Sequence, residues 1–217
     1  VIAGREEARL IYQGVSRHLP QNLERRLVVD IGGRSTELIL GRGFETQALE
    51  SYRVGSVAWS MRYFPEGEFT EQSFAMAEIA AKAVLDEALQ IYPRKSWDIA
   101  YGASGTIGAV GDVLLAAGWP EGVIDQAGLD WLLEKLLKAQ NADRLRLEGM
   151  KEDRRSVISG GLSVLRALFD LLQIQKMQVA QGALRHGALY DLLDREHLNT
   201  DLRTSSVELL AANFHTD

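Results

Sequence analysis

A chain of 217 residues with 46% hydrophobic and 25% charged side chains holds enough apolar material for one large globular domain, or one and a half. Its net charge of −6 argues against a nucleic-acid-binding surface, so a polyanionic ligand must be met by a local positive site. The absence of cysteine excludes a disulfide framework and thiol chemistry and fits a cytoplasmic chain, and no apolar run reaches the ~20 residues a membrane helix needs.

Residues 4–18 place Ala8, Ile11 and Val15 on one helical face. Leu27–Ile31 is apolar but for Asp30, as expected of a strand central in a sheet. Thr36–Leu40 and Thr46–Val54 read as its antiparallel partners, joined through Gly41-Arg42-Gly43. Thr70 is placed to cap a long helix whose Phe74, Ala77, Ala81, Val84 and Ala88 form a buried stripe. Trp97–Ala100 is a further strand, and Gly102–Thr106 a loop leading into a helix. Asp130 is expected to cap a short helix containing Leu132, Leu133, Leu136 and Leu137.

Residues 154–172 form an unusually apolar helix interrupted by Gly160-Gly161. Each glycine costs roughly 1 kcal/mol relative to alanine there, which points to close packing or close approach of a ligand, with packing favoured. Met177–Ala180 is a last strand and Leu184–Leu193 a last helix. Residues 199–217 read as a linker and a helix with Val207, Leu210, Ala211 and Phe214 on one face. The order βββαβαβα behind an opening helix predicts an α/β fold, a mixed sheet with helices on its faces.

Chemistry concentrates at residues 28–38, Val-Val-Asp-Ile-Gly-Gly-Arg-Ser-Thr-Glu-Leu. Gly32 and Gly33 let a strand–turn–strand bend sharply and bring N–H groups to an anion. Ser35 and Thr36 add hydroxyls, while Asp30 and Glu37 suit a hard cation such as Mg²⁺, which shares oxygen ligands with phosphate. An ordinary hairpin uses the same residue types. Ser104-Gly105-Thr106 opens a helix after a strand, either as an anion site or as a plain serine cap. Gly182 starts the last helix in the same way, and Arg185, one turn in, either reaches phosphate or makes an ion pair.

Four ordered segments carry a resemblance: residues 4–15 (Gly-Arg-Glu-Glu-Ala-Arg-Leu-Ile-Tyr-Gln-Gly-Val), residues 28–38, residues 101–110 around Tyr-Gly-Ala-Ser-Gly-Thr, and residues 182–191 (Gly-Ala-Leu-Arg-His-Gly-Ala-Leu-Tyr-Asp). Together they resemble the exopolyphosphatase/guanosine pentaphosphatase family over residues 1–195, and the first leans toward the pentaphosphatase branch. The resemblance implies the second actin-like domain (actin/hexokinase/Hsp70-like, ribonuclease H-like) of a longer enzyme. On that resemblance, the first domain, with its own phosphate loop, is expected to lie outside this sequence, and residues 196–217 are expected to form a linker and the start of a helical domain.

The activity implied is hydrolysis of terminal phosphoanhydride bonds of inorganic polyphosphate or guanosine pentaphosphate with Mg²⁺. Glu7, in preference to its neighbour Glu6, matches the acid that directs the attacking water, and Asp30 and Glu37 match the catalytic centre. Arg34 departs from the usual small residue of the cradle, where it clamps phosphate, points to solvent or crowds the turn. His186 stands where family members often have Glu, and the four histidines show no metal-ligand spacing. A kinase-like ATP-using phosphotransferase and a non-catalytic phosphate-binding module are the rival readings. A homodimer is left open.

Overall fold

The structure, a computed structural model, describes residues 3–194. Its sheet has six strands in the order β3-β2-β1-β4-β6-β5: β1 (Arg25–Ile31), β2 (Thr36–Arg42), β3 (Glu45–Tyr52), β4 (Ile99–Gly102), β5 (Val123–Asp125) and β6 (Lys176–Val179). β1, β4 and β6 run parallel, while β2, β3 and β5 run against their neighbours. β1 is internal, as its apolar run requires, and alternates between two cores. Leu27, Val29 and Ile31 point into the larger core, and Val28 points into the smaller one.

Among the described residues, the helices that accompany this sheet include α1 (Gly4–Ser16), α2 (Ser56–Tyr63), α3 (Glu71–Leu85), α4 (Ala88–Ile91), α5 (Gly105–Ala116), α6 (Gln126–Ala139) and α7 (Ile158–Leu171). Residues 184–194 are also helical. α1 covers one face, where Ala8, Ile11, Tyr12 and Val15 meet Val28, Ile39 and Tyr101. Residues of α2, α3, α5, α6 and α7 supply the larger core on the other face. Thr70 caps α3 as its sequence suggests, accepting from the Ser73 N–H at 3.0 Å.

Three expectations are corrected. The helix expected to start at Asp130 starts at Gln126, because Asp125 accepts from the Gly128 N–H at 2.8 Å and so satisfies its first turn. The helix expected over 154–172 is Ile158–Leu171, since Glu152–Arg154 forms a separate 3-10 turn. α2 and the edge strand β5 join the βββαβαβα order as additional elements. The linker and helix read over 199–217 lie outside the described residues.

The far end of the α1 face is closed by polar groups. Arg26 is fully buried yet satisfied, donating to the Pro20 carbonyl, to Asn22 Oδ1 and Glu24 Oε1 at 3.2 Å each, and to the Gly43 carbonyl at 3.4 Å. The Tyr12 hydroxyl donates to the same Gly43 carbonyl at 3.0 Å, and that of Tyr101 to Glu24 at 3.0 Å. Such a network tolerates a buried guanidinium because its donors are used.

Gly160 and Gly161 have the packing role. A Cβ on Gly160 would lie 2.4 Å from both the Ser56 carbonyl oxygen and the Ser60 nitrogen, and one on Gly161 2.4 Å from Thr106 Cγ2. α7 therefore crosses α2 backbone to backbone and rests on the first turn of α5. The Gly160 N–H also donates to Ser60 Oγ at 3.0 Å.

Alanine is the better helix former by about 1 kcal/mol, but a rigid backbone clash of this depth outweighs that gain. We expect Gly160→Ala to lower unfolding free energy by about 1–3 kcal/mol, the range typical of overpacking, in urea titrations. A variant as stable as the parent, or more so, overturns this account of the crossing.

Candidate active site

The pairing register fixes an acid pair. Asp30 of β1 stands opposite Glu37 of β2, and Glu37 opposite Ser51 of β3, so one rung crosses three strands. Side chains alternate along a strand, so Asp30 shares its face with Val28, and Glu37 shares its face with Ile39. That is the face α1 covers. Asp30 is 8% exposed and Glu37 1% exposed. The Ser51 hydroxyl donates to Glu37 Oε1 at 2.7 Å, and the Ser35 hydroxyl also bonds to Glu37. Gly4, the first residue of α1, packs directly on Ser51, where a Cβ would lie 2.6 Å from its side chain.

α1 carries Glu6 and Glu7 in its first turn, and they have different surroundings. Glu6 is taken by Arg9 in a two-pronged pair at 2.7 and 2.9 Å, and Arg9 continues to Asp191 at 2.8 Å. Glu7 makes no side-chain hydrogen bond or ion pair among the described residues, and its charge acts on both buried acids. Burial first, then the charges of Glu37 and Glu7, push the Asp30 carboxyl up to about 7. Burial also raises Glu37, against the pull of the Ser51 and Ser35 hydroxyls, and Glu7 raises it further. Neither buried acid forms an ion pair among the described residues.

Beside the acids lies a cavity of about 220 Å³ lined by Asp30, Gly32, Gly33, Gly105, Thr106 and Arg154 among others. Two chain segments distant in sequence, 30–33 and 103–106, meet there because β1 and β4 are parallel neighbours. The glycine turn is held with its carbonyls turned inward. Gly32 O accepts from the Ser56 N–H, and Gly33 O from the N–H groups of Val57 and Ala58, at 2.9–3.0 Å. α2 thus uses the turn's acceptors. The N–H groups of Gly33, Gly105 and Thr106 have no protein acceptor among the described residues, the latter two as orphan donors of the first turn of α5. The Arg154 guanidinium lies over Gly105, with Nη2 3.0 Å from where a Cβ would stand.

The other expected site residues divide. Ser104 caps α5, its Oγ accepting from the Ile107 N–H at 3.1 Å, and lines the cavity. Thr36 is buried and donates to the Val54 carbonyl at 2.6 Å, so its hydroxyl holds the hairpin together and is not part of the cradle. Ser35 turns to Glu37. Arg34 is exposed at the tip of the turn and does not line the cavity. Arg185 is exposed, and its segment contributes Ala183 to the lining instead. Ser51, Ser56 and Arg154 were not foreseen. Only the register and the tertiary packing bring them here.

The donor set suits a small hard cation that keeps several waters and shares the rest of its shell with phosphate. Two carboxylates stand adjacent, raised in pKa by burial and by like charge, with no cationic side chain paired to them among the described residues. Among the described residues no three acid or imidazole side chains form a ready-made metal centre, so substrate and water would have to complete the shell.

The Ppx/GppA phosphatase family pattern matches residues 1–196. A guanosine-5'-triphosphate,3'-diphosphate pyrophosphatase of Vibrio cholerae is 41% identical over 217 residues, which is 100% of this chain and 43% of that protein. A protein of the same description from Aliivibrio fischeri is 45% identical over 194 residues, 89% of this chain and 39% of its own length. The chain thus spans less than half the length of these relatives. Among solved structures, an exopolyphosphatase from Cytophaga hutchinsonii superposes with a TM-score of 0.74 at 24% identity, covering 89% of this chain and 65% of that one. The Aquifex aeolicus PPX-GPPA enzyme gives 0.73 at 22% identity over 87% and 64%. These superpositions show the fold, an actin-like mixed α/β sheet.

The raised Asp30 sets a testable stability profile. A carboxyl raised from 3.8 to about 7 on folding makes the native state bind more protons than the unfolded chain between those values. Its stability contribution is full below pH ~4 and is lost as pH rises through about 7. With chelator present, Asp30→Asn should therefore raise the unfolding free energy at pH 8 by on the order of 2–4 kcal/mol, with the gain fading toward pH 4. Urea titrations at both pH values measure it, and a variant destabilised at pH 8 overturns it.

Proposed function

This chain belongs to the Ppx/GppA phosphatase family, and from that premise we propose that it is the second actin-like domain of a hydrolase of terminal phosphoanhydride bonds. The substrates are guanosine pentaphosphate, inorganic polyphosphate, or both. The observation that carries the proposal is one juxtaposition. Asp30, one of a cation-demanding acid pair with Glu37, lines the same small cavity as a set of unused anion donors, and the charge of Glu7, which has no side-chain partner among the described residues, acts on both acids.

Each group then has a task. The terminal phosphoryl oxygens accept from the N–H groups of Gly33, Gly105 and Thr106 and from the Arg154 guanidinium, which positions the chain and favours its charge. Asp30 and Glu37 would hold Mg²⁺, and that ion, when bound, neutralises phosphate charge and the like charge of the acids. Glu7 accepts a proton from the attacking water. The water oxygen bonds to the terminal phosphorus as the bridging P–O bond breaks, and the bridging oxygen keeps the electron pair. Glu6 cannot share this task, because Arg9 holds it in a two-pronged ion pair. Residues 1–195 would form the domain, with 196–217 beginning the next. A first domain elsewhere in the parent chain would close over the exposed tip at Arg34, where the guanidinium would meet a polyanion from the other side of the cleft.

In the full-length protein, Glu7→Gln should lower kcat about 10²–10⁴-fold on either substrate with KM little changed, because the amide keeps size but accepts no proton. Glu6→Gln should leave kcat within a few-fold. The reverse pattern in phosphate-release assays would assign the role to the wrong neighbour.

A magnesium titration tests the acid pair separately. Asp30→Asn and Glu37→Gln should each raise the Mg²⁺ concentration for half-maximal activity, since each removes a charge from a hard-cation site. An unchanged requirement in both variants makes the pair structural.

A further inference from the structure

Glu7 lies in the first turn of α1, and local sequence does little to fix that turn. Ala3 stands at the N-cap and makes no side-chain hydrogen bond to the first turn, so the first N–H groups lack the acceptor that Ser, Thr, Asp or Asn would supply. The Glu7 N–H donates to the Ala3 carbonyl at 2.9 Å, and this bond alone closes the turn around Glu7. Fraying helix ends open locally at almost no free-energy cost. A general base must stay within hydrogen-bond reach of one water, which a fraying turn does poorly.

A tie for this turn comes from the other end of the chain. The helix at residues 184–194 crosses α1 with the two backbones in contact. A Cβ on Gly14 would lie 2.7 Å from the Gly187 nitrogen, and one on Gly187 would fall on the Leu10 carbonyl oxygen. Just before that helix, Ala183 lines the cavity that also holds Gly33 and Gly105. From the crossing, two acids reach the face of α1 that carries residues 9, 13 and 17. Asp191 Oδ1 accepts from Arg9 Nη2 at 2.8 Å. Asp194 Oδ2 accepts from Arg17 Nη2 at 2.6 Å and from Gln13 Nε2 at 3.2 Å. Arg9 turns the same fork to Glu6 at 2.7 and 2.9 Å. Glu6, Arg9 and Asp191 are thus a chain of bonds from the first turn of α1 to a helix that starts beside the phosphate cavity.

We infer that Asp191 is a positioning residue for Glu7: through Arg9 and Glu6 it ties the first turn of α1 to the 184–194 helix, and so fixes where the water-directing carboxylate stands. The inference rests on the proposed role of Glu7. Among the described residues, none of α1 lines the phosphate cavity. The distance from Glu7 to the phosphate donors therefore depends on how α1 is held, and substrate is gripped by other segments. The glycine crossing already docks the two helices, and a partly exposed ion pair adds little to global stability. Losing the pair frees one turn and leaves the fold intact. A carboxylate that is often out of place lowers turnover without weakening substrate binding.

The test uses the full-length protein. Asp191→Ala should lower kcat about ten- to hundredfold, the loss that a small misplacement brings, with KM changed less than about twofold and the urea midpoint little moved. Asp191→Asn keeps an acceptor oxygen for Arg9 and should recover most of the rate. In a Glu7→Gln background, Asp191→Ala should cost less than about twofold, because no base is left to position. An undiminished loss in that background, a loss that appears in KM instead of kcat, or no loss at all overturns the inference.

If Glu7→Gln leaves kcat unchanged, the proposed role of Glu7 fails, and hydrogen exchange decides the tie independently. Amides of residues 7–9 should exchange about tenfold faster in Asp191→Ala than in the wild type and return toward the wild-type rate in Asp191→Asn, while amides of α7 keep theirs. Wild-type exchange at residues 7–9 in Asp191→Ala would overturn it.

Discussion

Two buried carboxylates face each other across a single rung of the sheet, and the surrounding structure is arranged to tolerate them. Burying an ionised acid without a partner costs several kcal/mol, and a second acid alongside raises the cost. Hydroxyls from Ser51 and Ser35 offset part of it for Glu37. The rest of that sheet face compensates by being apolar, with Val28 and Ile39 under α1. α1 must come close for this, and Gly4 against Ser51 and Gly41 under the Tyr12 ring permit it. The charge conflict is thus confined to one end of the helix, and the fully satisfied Arg26 network closes the other.

Two helix N-termini flank the cavity, and they have opposite fates. The first turn of α2 is consumed by the carbonyls of Gly32 and Gly33, which leaves the glycine turn with its donors outward. The first turn of α5 is left open apart from the Ser104 cap. One helix polarises the loop and the other presents its own donors to the same space. Gly55 makes the first arrangement possible, because a Cβ there would lie 2.6 Å from the Arg34 nitrogen.

Much of this was legible in the chain. Strand β1 was recognisable because residues buried on both faces of a sheet read as a continuous apolar run, and Asp30 stood out within it. The glycine turn, the α5 start and the Thr70 cap carry local signals that the tertiary structure does not override. α2 was missed because Gly55 caps it without a side-chain signal and its buried residues include Ser56 and Ser60. Asp125 and Asp130 are both plausible caps, and only the bond to Gly128 separates them. Thr36 was misjudged because a hydroxyl's direction depends on the facing carbonyl of Val54, eighteen residues away. Arg154 was invisible for a similar reason. It is one arginine among many until the chain folds it against Gly105. Glu6 and Glu7 are adjacent in sequence, the resemblance alone favoured Glu7, and the physical distinction is the pairing of Glu6 with Arg9, which itself bridges to Asp191.

The order of assembly follows from where these parts lie along the chain. β1, β2 and β3 form a local meander, with Asp30 and Glu37 brought opposite each other by a turn of four residues, 32–35. β4 joins β1 from a distance, with Arg26 paired to Ile99, and Arg154 arrives later still. Short loops close early and long ones late. In a nascent chain the acids are therefore paired while their rung is still open to water, where like charge is weakly felt. The donors that make the pocket an anion site enter only when β4 and α5 dock. A half-formed domain would hold its carboxylates without its phosphate cradle, so ligand affinity becomes a late reporter of folding and the meander alone has no claim on the substrate.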